Sequence, residues 1–155
     1  MDRNSRLSFL VGGAALCSAL MLSSAAFAQA VPTCEGKAAT IYVLNGKIVG
    51  GPDNGKDYTG TLRGTDGDDV MVGTSAADQI FGGNGNDTIC AGPGDDSIVG
   101  GAGNDVIDAG PGNDSVEGEE GSDTVDGGPG DDSIDGGPGS DRIEGGPGDD
   151  AIQGD

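Results

Sequence analysis

Residues 82–153 repeat one nine-residue phrase eight times without insertion or deletion: GGNGNDTIC, AGPGDDSIV, GGAGNDVID, AGPGNDSVE, GEEGSDTVD, GGPGDDSID, GGPGSDRIE and GGPGDDAIQ. Position four is glycine in every copy, including Gly85, Gly94, Gly103 and Gly112. Position six is always aspartate: Asp87, Asp96, Asp105, Asp114, Asp123, Asp132, Asp141 and Asp150. Position eight is always β-branched and apolar, from Ile89 to Ile152. Two looser copies precede these, GTDGDDVMV over 64–72 and GTSAADQIF over 73–81, and they keep Asp69 and Asp78 at position six. A short fixed period of this kind specifies a stack in which each unit packs only on its neighbours, and it overrides element-by-element prediction.

The first six residues of each copy are turn formers and the last three suit a short strand, whose alternation points position eight inward and its neighbours outward. Two nonamers then close one turn of a flattened coil, with odd and even copies on opposite parallel sheets. One sheet stacks Met71, Ile89, Ile107, Val125 and Ile143, and the other Ile80, Ile98, Val116, Ile134 and Ile152. One apolar side chain per nine residues is a thin core for a chain with 33 glycines, and high glycine with high charge is also the composition of disorder. Without a ligand, disorder is the expected state of residues 64–155. Collagen is excluded because it needs glycine at every third residue.

Charge decides which ligand is needed. The chain has 27 acidic against 7 basic side chains, which excludes nucleic acid and an anionic membrane as partners. Stacked turns about 4.8 Å apart bring like-charged loops into register, a repulsion that a divalent cation reverses. Calcium suits oxygen-rich, glycine-flexible loops. Zinc, copper and iron prefer imidazole or thiolate, and the chain has no histidine.

These copies resemble the RTX, or haemolysin-type, calcium-binding repeat family, whose consensus is G-G-x-G-x-D-x-U-x with U a large apolar residue. The resemblance implies an all-β protein folded as a right-handed parallel β-roll. It also implies calcium between same-side loops of adjacent turns, held by the position-six aspartates and by loop carbonyls near the position-four glycines. On this chain one edge carries the loops starting at Gly64, Gly82, Gly100, Gly118 and Gly136, and the other those at Gly73, Ala91, Ala109, Gly127 and Gly145, so at most eight inter-loop sites are expected. Ala76 in place of the position-four glycine, and Glu119 in place of a position-two glycine, depart from the pattern. The outward acidic residues at position nine, such as Asp108 and Glu117, are expected to form a solvated face.

Residues 1–28 read as a secretory signal peptide: Arg3 and Arg6, an apolar run from Leu7 to Leu22, and an A-x-A site at Ala26-Phe27-Ala28. A second such site places cleavage after Ala28 or Ala30. A secreted, extracellular protein is therefore expected, without membrane insertion, because the apolar run is short for a span. Residues 29–63 are expected to cap the roll through a β-hairpin, Ala39–Leu44 and Lys47–Val49 around Asn45-Gly46, followed by a short strand ending at Arg63. Cys34 and Cys90 are the only cysteines beyond the leader and are expected to pair as a disulfide across the cap.

No catalytic constellation is legible, so the expected function is a non-enzymatic protein that folds on binding several calcium ions. The alternative is calcium-dependent adhesion or self-assembly, with self-association or a cell-surface partner. Beyond the leader the aromatics are confined to Tyr42, Tyr58 and Phe81, too few for a carbohydrate platform.

Overall fold

The computed structural model describes residues 31–44 and 46–154; the expected leader, residues 1–28, lies outside the described residues, as does Asn45 of the expected turn. The strands are β1 (Thr33–Cys34), β2 (Lys37–Ala38), β3 (Tyr42–Leu44), β4 (Lys47–Val49), β5 (Thr61–Arg63), β6 (Val70–Val72), β7 (Gln79–Asn84), β8 (Thr88–Cys90), β9 (Ser97–Ala102), β10 (Val106–Asp108), β11 (Ser115–Glu120), β12 (Thr124–Asp126), β13 (Ser133–Asp135), β14 (Arg142–Glu144) and β15 (Ala151–Gln153). Among the described residues no helix is long and apolar enough to cross a membrane.

Alternate strands fall on opposite sheets, as the nonamer period requires. One sheet runs β14-β12-β10-β8-β6 and the other β15-β13-β11-β9-β7-β5. Pairing within each is parallel, with Ile89 opposite Ile107 and Ile98 opposite Val116, a register of two nonamers per turn. This is the expected parallel β-roll. The position-eight side chains from Met71 to Ile134 are at most 2% exposed. Ile143 is partly buried, and Ile152 on the last rung is 51% exposed.

The stack also reaches back before residue 64. β5 pairs parallel with β7 and sets Leu62 opposite Ile80, while Ile41 bridges in parallel to Met71. Leu62 and Ile41 are both fully buried, so each sheet gains one core side chain from a segment with no glycine–aspartate phrase. Leu62 stands one 18-residue turn before Ile80, whereas Ile41 lies 30 residues before Met71 and enters the core from outside the nonamer period.

β3 and β4 form the expected antiparallel hairpin. Gly46 takes φ +72°, a left-handed conformation that glycine adopts without a Cβ clash. A second hairpin, β1–β2, turns through Glu35 and Gly36. It lies against β6 and β8, where Lys37 Nζ donates to Thr88 Oγ1 at 2.8 Å and Cys34 is bonded to Cys90 with their Cα atoms 5.7 Å apart.

Three strands are twice the expected length, and among strands that lead into a regular copy proline explains which. β7, β9 and β11 run on into the following nonamer, where position three is Asn84, Ala102 or Glu120. On the opposite edge position three is Pro93, Pro111, Pro129 or Pro147, which has no N–H to donate, and the strands stop at three residues.

Glycine at position four is required by the turn stacked beneath it. A Cβ on Gly103, at φ +139°, would lie 1.9 Å from the Gly85 carbonyl oxygen. The first turn has no such loop beneath it: a Cβ on Gly67 meets nothing within 4 Å, which is why Ala76 is accommodated at the same register. Glu119, by contrast, stands at φ +69° where the other regular copies place glycine, a conformation that costs a side chain-bearing residue roughly 1–2 kcal/mol.

Gly103→Ala is expected to destabilise the roll by about 3 kcal/mol in calcium, with Gly67→Ala close to neutral; equal effects in denaturant unfolding would contradict the stacking argument. Replacing both Cys34 and Cys90 by serine is expected to cost roughly 4 kcal/mol, the chain entropy released on opening a loop of this size.

Candidate metal centres

Each regular loop brings its position-six aspartate under the turn that precedes it. Asp87 Oδ1 accepts the backbone N–H of Asp69 at 2.8 Å, and Asp105 Oδ1 accepts that of Asp87 at 2.7 Å. The chain continues as Asp105 to Asp123 at 2.8 Å and Asp123 to Asp141 at 2.9 Å. The other edge repeats it from Asp78 through Asp96, Asp114 and Asp132 to Asp150, at 2.7–3.0 Å. All ten sequence-predicted aspartates thus lie in two ladders, one along each edge.

The second carboxylate oxygen is what distinguishes these loops. Oδ2 of Asp87, Asp96, Asp105, Asp114, Asp123, Asp132 and Asp141 is buried with no hydrogen-bond partner. A buried, unpartnered carboxylate oxygen is costly unless a donor or a cation reaches it. Five of these oxygens, those of Asp87, Asp105, Asp123, Asp132 and Asp141, face position-one glycines. A Cβ on Gly82 would lie 2.5 Å from Asp87 Oδ2 and 2.3 Å from the carbonyl oxygen of Gly100 in the next turn. At Gly118 the corresponding distances are 2.6 Å to Asp123 Oδ2 and 2.5 Å to the Gly136 carbonyl. Carboxylate and carbonyl oxygens of adjacent turns therefore share a small space that is open because position one has no side chain. Ala91 and Ala109, fully buried at position one on the other edge, narrow it beside Asp96 and Asp114.

Among the described residues no three His, Cys, Asp or Glu side chains converge on one point. A cation here would draw on one carboxylate per loop together with main-chain carbonyls. That donor set suits a hard ion with flexible coordination, as calcium is.

The position-four glycines Gly85, Gly94, Gly103 and Gly112 join successive turns. Their N–H groups donate to Ala102, Pro111, Glu120 and Pro129 carbonyls at 2.8–3.0 Å. Position five does the same through side chains. Asn86 Oδ1 accepts the N–H of Asn104 at 2.8 Å, Asn104 Oδ1 that of Ser122 at 2.7 Å, and Asn113 Oδ1 that of Asp131 at 2.9 Å. This ladder runs opposite to that of position six, so each loop is clasped from both sides. Sequence reasoning missed it, although position five is Asn, Asp or Ser in every regular copy. At position nine, Asp126 and Asp135 accept the N–H groups of Gly128 and Gly137 at 3.2 and 3.1 Å; Glu117 is exposed as expected, but Asp108 and Asp135 are half-buried, and burial raises the Asp108 carboxyl.

Burial pushes the Asp105 and Asp114 carboxyls up to about 6; the N–H groups of Asp87 and Asp96 oppose the shift, and neighbouring aspartates add to it. Asp78, Asp87, Asp96 and Asp123 are raised by burial in the same way. These are the electrostatics of loops that hold negative charge poorly by themselves.

The sequence profile of the RTX calcium-binding nonapeptide repeat matches the chain in four copies, over residues 53–89, 63–98, 91–125 and 126–155. The chain belongs to this family, whose repeats bind multiple calcium ions and are structural rather than catalytic. Such repeats are typical of secreted proteins. Among curated proteins, and among solved structures, none matches the chain significantly.

A carboxyl whose pKa is raised on folding stabilises the fold fully below its unfolded value of 3.8, and this contribution is lost as pH rises through about 6. In chelator, the far-UV β signal is therefore expected to fall as pH is raised from 4 to 7. A signal that grows over that range would contradict this assignment of the buried carboxyls.

Proposed function

We propose that this is a secreted, non-catalytic protein whose roll folds when calcium enters the spaces between successive same-edge loops. The observation that carries the reading is the row of seven buried Oδ2 atoms without a partner, one per loop from Asp87 to Asp141. Asp69, Asp78 and Asp150 share their register position at the two ends of the ladders. Loop carbonyls, including those of the copies containing Gly85, Gly94, Gly103 and Gly112, complete the proposed donor set.

Calcium supplies positive charge to a stack that otherwise sets acidic loops against one another. The chain's own groups do the rest. The Oδ1 ladder fixes each carboxylate, a small residue at position one (glycine, or Ala91 and Ala109) leaves room between its second oxygen and the next turn, and the position-eight side chains seat the strands. Extracellular calcium modules typically bind at about 10⁻⁴ to 10⁻³ M, so arrival outside the cell would itself be the folding signal. The expected signal peptide and the paired cysteines support the same compartment.

A calcium titration followed by far-UV circular dichroism, with magnesium as control, is expected to give a cooperative gain of β signal with calcium alone. A chain unmoved by calcium would sink the reading. Sedimentation during the same titration separates it from calcium-dependent self-assembly, which would give oligomers as the ion is added. Asp105→Asn keeps an acceptor for the Asp87 N–H and removes the charged oxygen; it is expected to lower the number of bound calcium ions by one in native mass spectrometry. An unchanged count would remove Asp105 from the ligand set.

A further inference from the structure

The first turn of the roll satisfies its aspartates in a different way. Asp69 Oδ2 accepts both the N–H and the hydroxyl of Thr65, each at 2.8 Å. Asp78 Oδ2 accepts the N–H of Thr74 at 2.6 Å and its hydroxyl at 3.1 Å. The Oδ1 atoms are occupied too. Thr40 donates its hydroxyl to Asp69 Oδ1 at 3.1 Å, and the Tyr58 hydroxyl donates to Asp78 Oδ1.

Thr65 and Thr74 stand at position two, where the regular copies have glycine or, once, Glu119. None of those residues has a hydroxyl, and from Asp87 to Asp141 the matching Oδ2 is left without a partner. The threonines thus coincide with the two interior loops whose carboxylates are complete. A hydroxyl–carboxylate bond supplies locally what a cation would otherwise supply.

The surroundings of this turn are closed by protein groups as well. Thr40 Oγ1 accepts the N–H of Val70 at 2.9 Å, and Val72 donates to the Ile41 carbonyl at 3.0 Å. Gln79 donates to the Gly60 carbonyl at 2.7 Å, and the disulfide ties Cys34 to the adjoining strand.

We propose that Thr65 and Thr74 replace the cation in the first turn, so that residues 31–81 form a metal-independent platform on which the later loops are ordered as calcium fills them. The inference rests on the calcium reading above for the later loops, but its first half concerns the chain without metal. Calcium-responsive loops then begin at Asp87, and Asp69 and Asp78 serve as acceptors within the protein. Folding is polarised: the first turn offers a preformed sheet edge, which removes the cost of nucleating parallel strands far apart in sequence.

Hydrogen exchange read by mass spectrometry on the oxidised chain tests this directly. In chelator, peptides within 65–79 are expected to exchange at least about tenfold more slowly than peptides within 97–153; equal rates would overturn the proposal. Because that comparison needs no bound metal, it is read even if the chain proves to bind no calcium, an outcome that would sink the calcium reading alone. The double variant Thr65→Gly, Thr74→Gly restores the regular phrase. It is expected to lose protection of 65–79 in chelator, regain it in calcium, and bind more calcium ions than the parent in native mass spectrometry. Unchanged protection or an unchanged ion count would overturn the proposal. Thr65→Ser with Thr74→Ser keeps both hydroxyls and is expected to retain the protection; its loss would show that shape, and not the donated hydroxyl, closes the turn.

Discussion

Everything in the roll depends on one carboxylate reaching across one turn. A position-six aspartate gives Oδ1 to the N–H of its counterpart in the preceding turn, as Asp105 does to Asp87, and this sets the spacing and register of the loops. The same contact draws the group out of water and leaves Oδ2 buried beside another acidic loop. Attraction through the first oxygen and the desolvation of the second arise from a single placement, so the loops are ordered and electrostatically unfinished at once. That combination links the fold to calcium.

Glycine follows from the same close approach. Loops near enough for the ladder bring main-chain carbonyls to where side chains would stand, as at Gly103 above Gly85. Where nothing lies beneath, the demand lapses, and Ala76 replaces glycine without a clash. Position five adds a second ladder of opposite sense through Asn86, Asn104 and Asn113. The two ladders make slippage by one residue costly, since it would break both and turn the apolar stripe outward.

The ends of the roll are solved differently from its middle. At the N-terminal end Ile41 and Leu62 fill the core positions, and Thr40 and Tyr58 hydroxyls take the Oδ1 atoms that have no earlier aspartate to serve. A hairpin fastened by the Cys34–Cys90 bond covers the outer face of the adjoining strands. Side-chain donors thus substitute for repeat geometry where the repeat is not yet established.

The eight regular copies of the phrase and the two looser ones before them were enough to determine the parallel sheets, the inward stack from Met71 to Ile134, the edge on which each loop lies and the calcium-binding family. A strict period leaves one residue type per register position, and its geometry follows from local rules of turn and strand. The pairing of the two cysteines was legible for a simpler reason, since only two stand after residue 28. What the period could not carry was anything set between elements that do not repeat. The entry of Leu62 and Ile41 into the core, the Thr65 and Thr74 hydroxyls on their own aspartates, and the separate fates of Oδ1 and Oδ2 depend on distances between atoms remote in the phrase or outside it. Only the stacked structure brings those atoms to hydrogen-bond range.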